Sequence, residues 1–198
     1  DIRHALSTIA DQNPGDELFI LYQPILDVRT HSISGFEALA RINTKKLGVV
    51  PPVEFIPIAE KTKMIIPIGE QVIIKAFEFM NKLKKNGFGS VSISINVSII
   101  QLLRPDFVDR LFELIASMRV EAKYIGIELT ESVYMADYKI ISSTIEVLKN
   151  AGLRIYIDDF GTGYSSLARE KELNVNFLKI DKYFIDKLMD ADPDLAIT

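Results

Sequence analysis

Short β-rich segments alternate with amphipathic helical segments along most of this chain, and this alternation limits the folds that it can adopt. Strands are predicted at 18–26, 33–42, 90–97, 124–129, 153–158 and 175–180. Helices are predicted at 1–13, 52–62, 67–85, 105–117, 137–151 and 181–190. A strand, a helix and a second strand in succession indicate a parallel pair, because parallel strands need a long crossover. The tight turn at 28–32 instead predicts that the first two strands are antiparallel.

The placement of side chains along each strand distinguishes two folds that contain such a parallel sheet, a doubly wound open sheet and a closed barrel. In the second strand, Phe36, Ala38, Ala40 and Ile42 lie on one face, and Glu37, Leu39 and Arg41 lie on the other. A doubly wound sheet is covered by helices on both faces, so its strands are almost continuously apolar. A barrel has one face against its helices and the other facing the lumen. The alternation favours a barrel, although six predicted strands are fewer than the roughly eight of a closed one.

Each of the later strands, and the second, has a polar residue near its carboxyl end, opposite its aliphatic side chains. These polar residues are Glu37, Asn96, Glu128, Asp158, Asp159 and Lys179. The carboxyl ends of barrel strands meet at one rim, so we expect all six side chains to be neighbours. Four carboxylates about 4 to 6 Å apart would repel one another by roughly 3 to 4 kcal/mol per pair at an effective dielectric constant of about 20. The cluster therefore predicts bound cations.

Residue types narrow the choice of cation. The chain has no cysteine and two histidines, His4 and His31, which lie in the predicted first helix and in a turn. A ligand set of oxygen atoms favours Mg²⁺ or Mn²⁺, with Ca²⁺ as an alternative. Two such ions bridged by a carboxylate suit phosphodiester hydrolysis. In that reaction Lys179, with a pKa lowered beside the cations, would orient or deprotonate the attacking water, and Arg41 would bind a phosphate oxygen.

Each of these residues also has a structural explanation when it is considered alone. The pair Asp158 and Asp159 can form an Asx turn that caps the next helix, and Asn96 can be a turn residue. Glu128 can form an ion pair with a lysine, and Lys179 can neutralise Asp158. Their shared position at strand ends favours a metal site over these separate explanations. A glycosidase with two carboxylates fits less well, because the chain has no tryptophan to stack on a sugar.

Composition limits the partners and the location. The 198 residues are 48% hydrophobic and 25% charged, which predicts a single globular domain. The net charge of −4, with no basic stripe, argues against binding to a DNA or RNA polymer. No segment resembles a signal peptide or an apolar membrane span, so we expect a cytoplasmic protein with no membrane segment.

Several motifs follow one another in an order and spacing that is similar to a known family. They are Gln23-Pro24-Ile25, Glu37-Ala38-Leu39-Ala40-Arg41, Glu54-Phe55-Ile56-Pro57-Ile58-Ala59-Glu60, Ser94-Ile95-Asn96-Val97-Ser98, Glu128-Leu129-Thr130-Glu131, the run DDFGTGYSSL from Asp158 to Leu167, and Leu178-Lys179-Ile180-Asp181. Together they cover residues 18 to about 188 and resemble the EAL-domain cyclic di-GMP phosphodiesterases.

The resemblance implies a modified triosephosphate-isomerase-type (TIM) barrel, (β/α)8, with an antiparallel first strand. It implies hydrolysis of cyclic di-GMP to linear pGpG by attack of water, with two Mg²⁺ or Mn²⁺ ions and with Ca²⁺ as an inhibitor. The implied metal ligands are Glu37, Asn96, Glu128 and Asp158, with Asp159 for the second ion. The implied catalytic residues are Lys179, Glu37 and Asp158, and the implied substrate contacts are Gln23, Leu39 and Arg41. The implied elements that couple metal binding to dimerisation are Glu131, Phe160, Gly161, Thr162, Gly163, Tyr164, Ser165 and Ser166.

In one respect this sequence departs from the family pattern. The family continues with a strand that carries a further glutamate ligand and with a later glutamine near the substrate, whereas this sequence ends at Thr198. We therefore expect a single EAL domain over 1–198 that is truncated at its C-terminal end, with an incomplete barrel of about six strands. A catalytically inactive cyclic di-GMP receptor, or a protein-interaction module, is the alternative function. Family members imply a homodimer and fusion to sensory or diguanylate cyclase domains.

Overall fold

The computed structural model describes residues 1–135, 137–160, 173–183 and 185–186. The strands are β1 (Glu17–Asp27), β2 (Ser32–Thr44), β3 (Gly48–Val50), β4 (Ser92–Asn96), β5 (Ile125–Thr130), β6 (Arg154–Phe160) and β7 (Phe177–Ile180). The α-helices are α1 (Ile2–Ala10), α2 (Pro52–Lys61), α3 (Ile65–Lys85), α4 (Ile99–Leu102), α5 (Phe107–Met118) and α6 (Tyr138–Asn150). Two 3₁₀ helices, Ala122–Tyr124 and Glu131–Met135, flank β5.

One sheet contains all the described strands, in the order β1-β2-β4-β5-β6-β7, with β3 paired to β2. The strands β1 and β3 run antiparallel to β2, and every later neighbouring pair is parallel. Among the described residues β1 and β7 are the two edges, so the sheet is not closed. This topology confirms the predicted barrel-type fold with an antiparallel first strand, in the incomplete form expected.

The turn between β1 and β2 explains the antiparallel start. The side chain of Asp27 accepts hydrogen bonds from the backbone N–H groups of Arg29, at 2.8 Å, and Thr30, at 3.1 Å. His31 adopts a φ of 53°, the left-handed conformation that such a short turn requires. The resulting register places Gln23 directly opposite Glu37. The hairpin therefore brings a predicted substrate residue beside a predicted metal ligand.

Aliphatic side chains of alternate strand residues form the core between the sheet and its helices. Ile95, Ile127 and Ile157 are each no more than 1% exposed, and they belong to one cluster with Phe77 of α3. Burial of each such side chain contributes about 1.5 to 3 kcal/mol. Because successive strand residues point to opposite faces, the residues before and after each of these lie on the other, inner face of the sheet.

Aromatic rings lie on the inner face, one pleat below the strand ends. The rings of Tyr156 and Phe177 stack with their centroids 4.7 Å apart. Gly126 makes room for this pair, because a Cβ atom at Gly126 would lie 2.6 Å from Tyr156 Cε2. The same strands place Asp158 and Lys179 two residues further on, so the stacked rings lie beneath the polar rim.

Most element boundaries lie within a few residues of the predicted ones, but the shortest elements are not predicted. These are β3, α4 and the two 3₁₀ helices. Of the helix predicted at 181–190, the structure describes helical backbone at 182–183 and 185–186 and a non-helical Asp181, and residues 184 and 187–190 lie outside the described residues. No helix in the described part of the chain is both long enough and apolar enough to cross a membrane.

Candidate metal centre

Three carboxylates from three strands converge at one end of the sheet. Glu37 lies on β2, Glu128 on β5 and Asp158 on β6, and one carboxylate oxygen of each lies within 4.8 Å of the others. The side chains of Glu37, Glu128 and Asp158 are 16%, 1% and 22% exposed. Carboxyl ends of parallel strands meet at one edge, which is why residues so far apart in sequence are neighbours here. We call these three residues the carboxylate triad.

Asn96 lies next to the carboxylate triad, at the end of β4, the strand between β2 and β5. Its register partner on β5 is Glu128, and its Nδ2 donates a hydrogen bond of 2.9 Å to Glu37 Oε1. With the amide nitrogen used in this way, the carbonyl oxygen is the Asn96 atom that can ligate a cation. The sequence prediction that this asparagine lies among the acidic residues therefore agrees with the geometry.

Lys179 lies in the middle of the carboxylate triad. Its Nζ is 3.0 Å from Glu37 Oε2, 2.7 Å from Glu128 Oε2 and 3.1 Å from Asp158 Oδ2. An ammonium group has three N–H donors, so one lysine satisfies one oxygen of each carboxylate. The group supplies a single positive charge at the place where the triad could hold a metal ion.

Burial and ion pairing have opposite effects on Lys179. Burial by itself lowers the pKa of this lysine, but hydrogen bonding to Glu128 and the charges of the triad outweigh it and raise the pKa above the ordinary value. The lowered pKa predicted from the sequence applies to Lys179 beside bound cations, and it stays a prediction. Surrounded by the carboxylates of the triad, Lys179 is an ammonium ion, because nearby negative charge favours the protonated form.

The donor set fits a hard divalent cation. Burial raises the pKa of Glu128, and the hydrogen bond from Lys179 opposes that rise. The Ser94 hydroxyl also lowers the pKa of Glu128, although no hydrogen bond of good geometry joins the two. Glu128 Oε1 is buried and accepts no hydrogen bond from the described residues. Such an oxygen, with two further carboxylates and the Asn96 amide, is the ligand chemistry that Mg²⁺ and Mn²⁺ prefer.

Asp159 lies beside the triad in an unusual backbone conformation. Its φ is 55°, in the left-handed region, and its backbone N–H donates to Asp158 Oδ1 at 3.0 Å. Burial, followed by the charges of Asp158 and Asp181, raises the pKa of Asp159. Negative charge is therefore concentrated next to the triad as well as within it, as a second cation site would require.

A cavity of about 350 Å³ opens beside these polar groups. Leu39 and Arg41 line it with the triad and Asn96, and Arg41 Nη1 donates to the Ala40 carbonyl at 2.8 Å. Its apolar wall comes from α2 and α3 and includes Phe55, Ile56, Ile65, Ile68 and Val72. Gln23 is exposed on β1, next to Glu37, and is not part of the cavity wall.

Five further polar residues of this cavity were given no role in the site from the sequence. They are Glu60, Ser98, Gln101, Thr130 and Ser132. Ser98 and Gln101 form a capping box at the start of α4, and Ser98 Oγ donates to Glu60 Oε1 at 2.6 Å. The S-x-x-Q spacing of the capping box is a sequence signal that could have identified Ser98 and Gln101. The contact with Glu60 depends on tertiary structure.

The segment predicted to couple metal binding to dimerisation is described only in part. Glu131 is buried at the start of the 3₁₀ helix that follows β5. Phe160 ends β6, with its backbone in register with Ile180. Residues 161–166 lie outside the described residues. The coupling role of this segment stays a prediction.

Comparisons with known proteins agree with this fold and site. MucR of Pseudomonas aeruginosa, a bifunctional diguanylate cyclase/cyclic di-GMP phosphodiesterase, is 36% identical over 181 residues, which are 91% of this chain and 26% of MucR. PdeI of Escherichia coli, a probable cyclic di-GMP phosphodiesterase, is 37% identical over 186 residues, 93% of this chain and 23% of PdeI. The chain thus spans about a quarter of the length of these relatives.

A solved structure and a family match complete the comparison. The PaMucR phosphodiesterase in complex with c-di-GMP has a TM-score of 0.87 and 34% identity to this chain, covering 98% of this chain and 76% of that one. The EAL domain family matches residues 6–198. These matches confirm the resemblance given by the sequence motifs. The chain therefore belongs to the EAL domain family.

Proposed function

We propose that this chain is a metal-dependent phosphodiesterase that hydrolyses cyclic di-GMP to linear pGpG. One observation carries the proposal: the carboxylate triad, Asn96 and Lys179 lie together at the carboxyl ends of the strands, beside a cavity of about 350 Å³. The relatives MucR and PdeI, whose names include cyclic di-GMP phosphodiesterase, support the choice of substrate.

In this proposal the triad and Asn96 hold one Mg²⁺ or Mn²⁺ ion, and Asp159 with Asp158 contributes to a second. The bound ions would supply charge stabilisation at the scissile phosphate and would acidify a water molecule. The carboxylates of Glu37 and Asp158 would fix the positions of the two ions. Ca²⁺ would bind the same oxygens with looser geometry, and we expect it to inhibit.

The remaining groups would bind and orient the reactants. With a cation held by the triad, Lys179 at the rim beside it would donate hydrogen bonds to the attacking water and hold it in line with the phosphate. Arg41 would bind a phosphate oxygen through its guanidinium group, since it lines the cavity next to the triad. Leu39 would provide an apolar contact in the same cavity, and Gln23 would reach the substrate from the neighbouring strand β1.

A cyclic di-GMP receptor without turnover is the second candidate. It would bind the nucleotide in the same cavity beside the carboxylate triad and Asn96, without hydrolysis.

Incubation of the purified chain with Mn²⁺ and cyclic di-GMP, with products separated by chromatography, distinguishes the two candidates. Formation of pGpG that stops on addition of EDTA supports the enzyme. Nucleotide binding without product supports the receptor, and absence of binding contradicts both. The variant Glu128→Gln, which removes a ligand charge but keeps the size of the side chain, is the matched control for hydrolysis by a contaminant.

The context of the domain is also a proposal. MucR combines this domain type with a diguanylate cyclase, and we propose that 1–198 likewise acts as one EAL domain fused to cyclase or sensory domains in a cytoplasmic protein. We propose a homodimer whose contacts involve the segment at 160–166. Light scattering on the purified chain tests the dimer, because a monomer at concentrations that support activity would contradict it.

A further inference from the structure

A polar network lies between the metal centre and helices α2, α3 and α4. Ser98 Oγ donates to Glu60 Oε1 at 2.6 Å and accepts from the backbone N–H of Ile100 at 3.3 Å. The Ser98 backbone N–H donates to Gln101 Oε1 at 3.1 Å. Glu60 is at the end of α2, so this network joins α2 to the first turn of α4.

The other side of Gln101 is held by α3. A Cβ atom at Gly69 would lie 2.0 Å from Gln101 Nε2, so the Gln101 amide occupies the space that any larger residue at 69 would need. Gln101 is 5% exposed. The first turn of α4 is therefore fixed by α2 through Glu60 and by α3 through Gly69.

The network connects with the metal centre through two residues of backbone. Asn96 ends β4, and the backbone N–H of the next residue, Val97, donates to the Glu128 carbonyl at 2.9 Å. Ser98 follows immediately. The segment 96–98 is thus attached to β5 at one point and to α2 at the next, and the Asn96 side chain projects from it toward Glu37.

A helix as short as α4 cannot hold this segment by itself. It has four residues, and a helix of that length gains too few backbone hydrogen bonds to offset the cost of its first turn. Its position must come from tertiary contacts. Because Ser98 already caps α4 with help from Gln101, the carboxylate of Glu60 is not needed to complete the cap. It adds a contact that fixes where the cap lies.

We infer that Glu60 is a positioning residue for the metal centre: it holds Ser98 and thereby sets the direction in which Asn96 presents its carbonyl oxygen. The inference rests on the proposed metal-dependent function. Supporting groups behind a metal ligand commonly change metal affinity about 10- to 100-fold when they are removed. Glu60 acts through a backbone segment rather than on the ligand itself, so we expect an effect at the lower end, about tenfold.

Two substitutions at the same position test the inference. Glu60→Leu removes the hydrogen-bond acceptor, whereas Glu60→Gln keeps an acceptor oxygen and loses only the charge. Titration of Mn²⁺ into the full chain, followed by calorimetry, should give about tenfold weaker affinity for Glu60→Leu and nearly unchanged affinity for Glu60→Gln. At subsaturating Mn²⁺, kcat of Glu60→Leu should fall and recover with excess Mn²⁺, while KM for cyclic di-GMP stays close to the wild-type value.

Asp27→Ala is the control for a general loss of stability. Asp27 also accepts hydrogen bonds, but in the β1–β2 turn at the opposite end of the strands. Its substitution should lower the unfolding temperature without a change in Mn²⁺ affinity. If Glu60→Leu lowers the unfolding temperature in the same way and leaves Mn²⁺ affinity unchanged, the residue supports α4 only and the inference is overturned. A wild-type chain that binds no Mn²⁺ would overturn the proposed metal centre, and the inference with it.

Discussion

Replacement of Lys179 by methionine would remove the charge at the centre of the carboxylate triad and keep a similar side-chain volume. The ammonium makes contacts of 3.0, 2.7 and 3.1 Å with three carboxylates. At an effective dielectric constant of about 20, a pair of charges about 3 Å apart attracts by roughly 5 kcal/mol. Removal of one partner of a buried ion pair costs about 3 to 5 kcal/mol, because the other charge is left unpaired.

The measured loss should lie at the lower end of that range. The Lys179 side chain is 30% exposed, so water screens part of its interaction, and one of the remaining carboxylates can take up a proton. We expect a loss of about 3 kcal/mol in the free energy of unfolding in the presence of EDTA. For a domain of this size, that corresponds to a decrease of roughly 6 to 12 °C in the unfolding temperature.

The same substitution should have the opposite effect on metal binding. A divalent cation must displace the ammonium from the triad in the wild-type chain, but not in Lys179→Met. We therefore expect Mn²⁺ to bind Lys179→Met more tightly, by about tenfold or more, and to restore the lost unfolding temperature. Saturation at about 100 times the dissociation constant stabilises a folded protein by about 2.7 kcal/mol. Hydrolysis should nevertheless be lost.

Thermal unfolding with EDTA and with Mn²⁺, together with calorimetric titration, checks both effects. Lys182→Met is the matched control: Lys182 pairs with Asp186 at 2.5 Å, but its side chain is 84% exposed, and such a pair contributes at most about 1 kcal/mol. Unfolding temperatures for Lys179→Met and Lys182→Met that are equal in EDTA would refute the assignment of Lys179 as the cation of the metal-free centre. Weaker Mn²⁺ binding by Lys179→Met than by the wild-type chain would refute the idea that Mn²⁺ and the Lys179 ammonium compete for the triad.

Three further predictions concern the site and the inner face of the sheet. Glu128→Gln should reduce both Mn²⁺ affinity, measured by calorimetry, and the rate of hydrolysis by at least about 100-fold, because it removes the charge of the most buried ligand. Unchanged Mn²⁺ affinity would contradict the assignment of the triad as metal ligands. Arg41→Ala should raise KM for cyclic di-GMP about tenfold in steady-state kinetics and leave Mn²⁺ affinity unchanged, since in the proposed function Arg41 binds a phosphate oxygen and no metal ion. Gly126→Ala should lower the free energy of unfolding in urea by about 1 to 3 kcal/mol, because its Cβ would meet Tyr156 at 2.6 Å. Gly89→Ala is its control, because the nearest atom there is 3.4 Å away and the cost should be much smaller.

The position of the site could be predicted because it follows from two local rules. Alternation along a strand determines which face Glu37, Glu128 and Lys179 occupy, and parallel strands bring their carboxyl ends to one edge. The first rule acts within one strand, and the second needs only the order of strands and helices along the chain. The same reasoning predicted Asn96 from its place on the strand between them. The antiparallel hairpin was likewise evident from the short turn after Asp27.

The supporting network could not be predicted in this way. A four-residue helix has almost no periodic pattern, so α4 has no counterpart among the predicted elements. The contact between Glu60 and Ser98 joins residues 38 apart in sequence, and it depends on how α2 packs against the end of β4. The position of Lys179 between the carboxylates, rather than beside them, also depends on tertiary structure. Its raised pKa follows from that position.

The charges of the centre explain why a divalent ion could replace Lys179. Carboxylate oxygens within 4.8 Å of one another repel by about 3.5 kcal/mol per pair or more at an effective dielectric constant of about 20, and Asp159 adds further negative charge nearby. One ammonium offsets a single charge of the three in the triad, whereas one divalent ion offsets two and can also ligate the Asn96 oxygen. In the proposed hydrolysis, a divalent ion would therefore take the place of the Lys179 ammonium at the centre of the triad, and Lys179 would stay at the rim within reach of a water molecule.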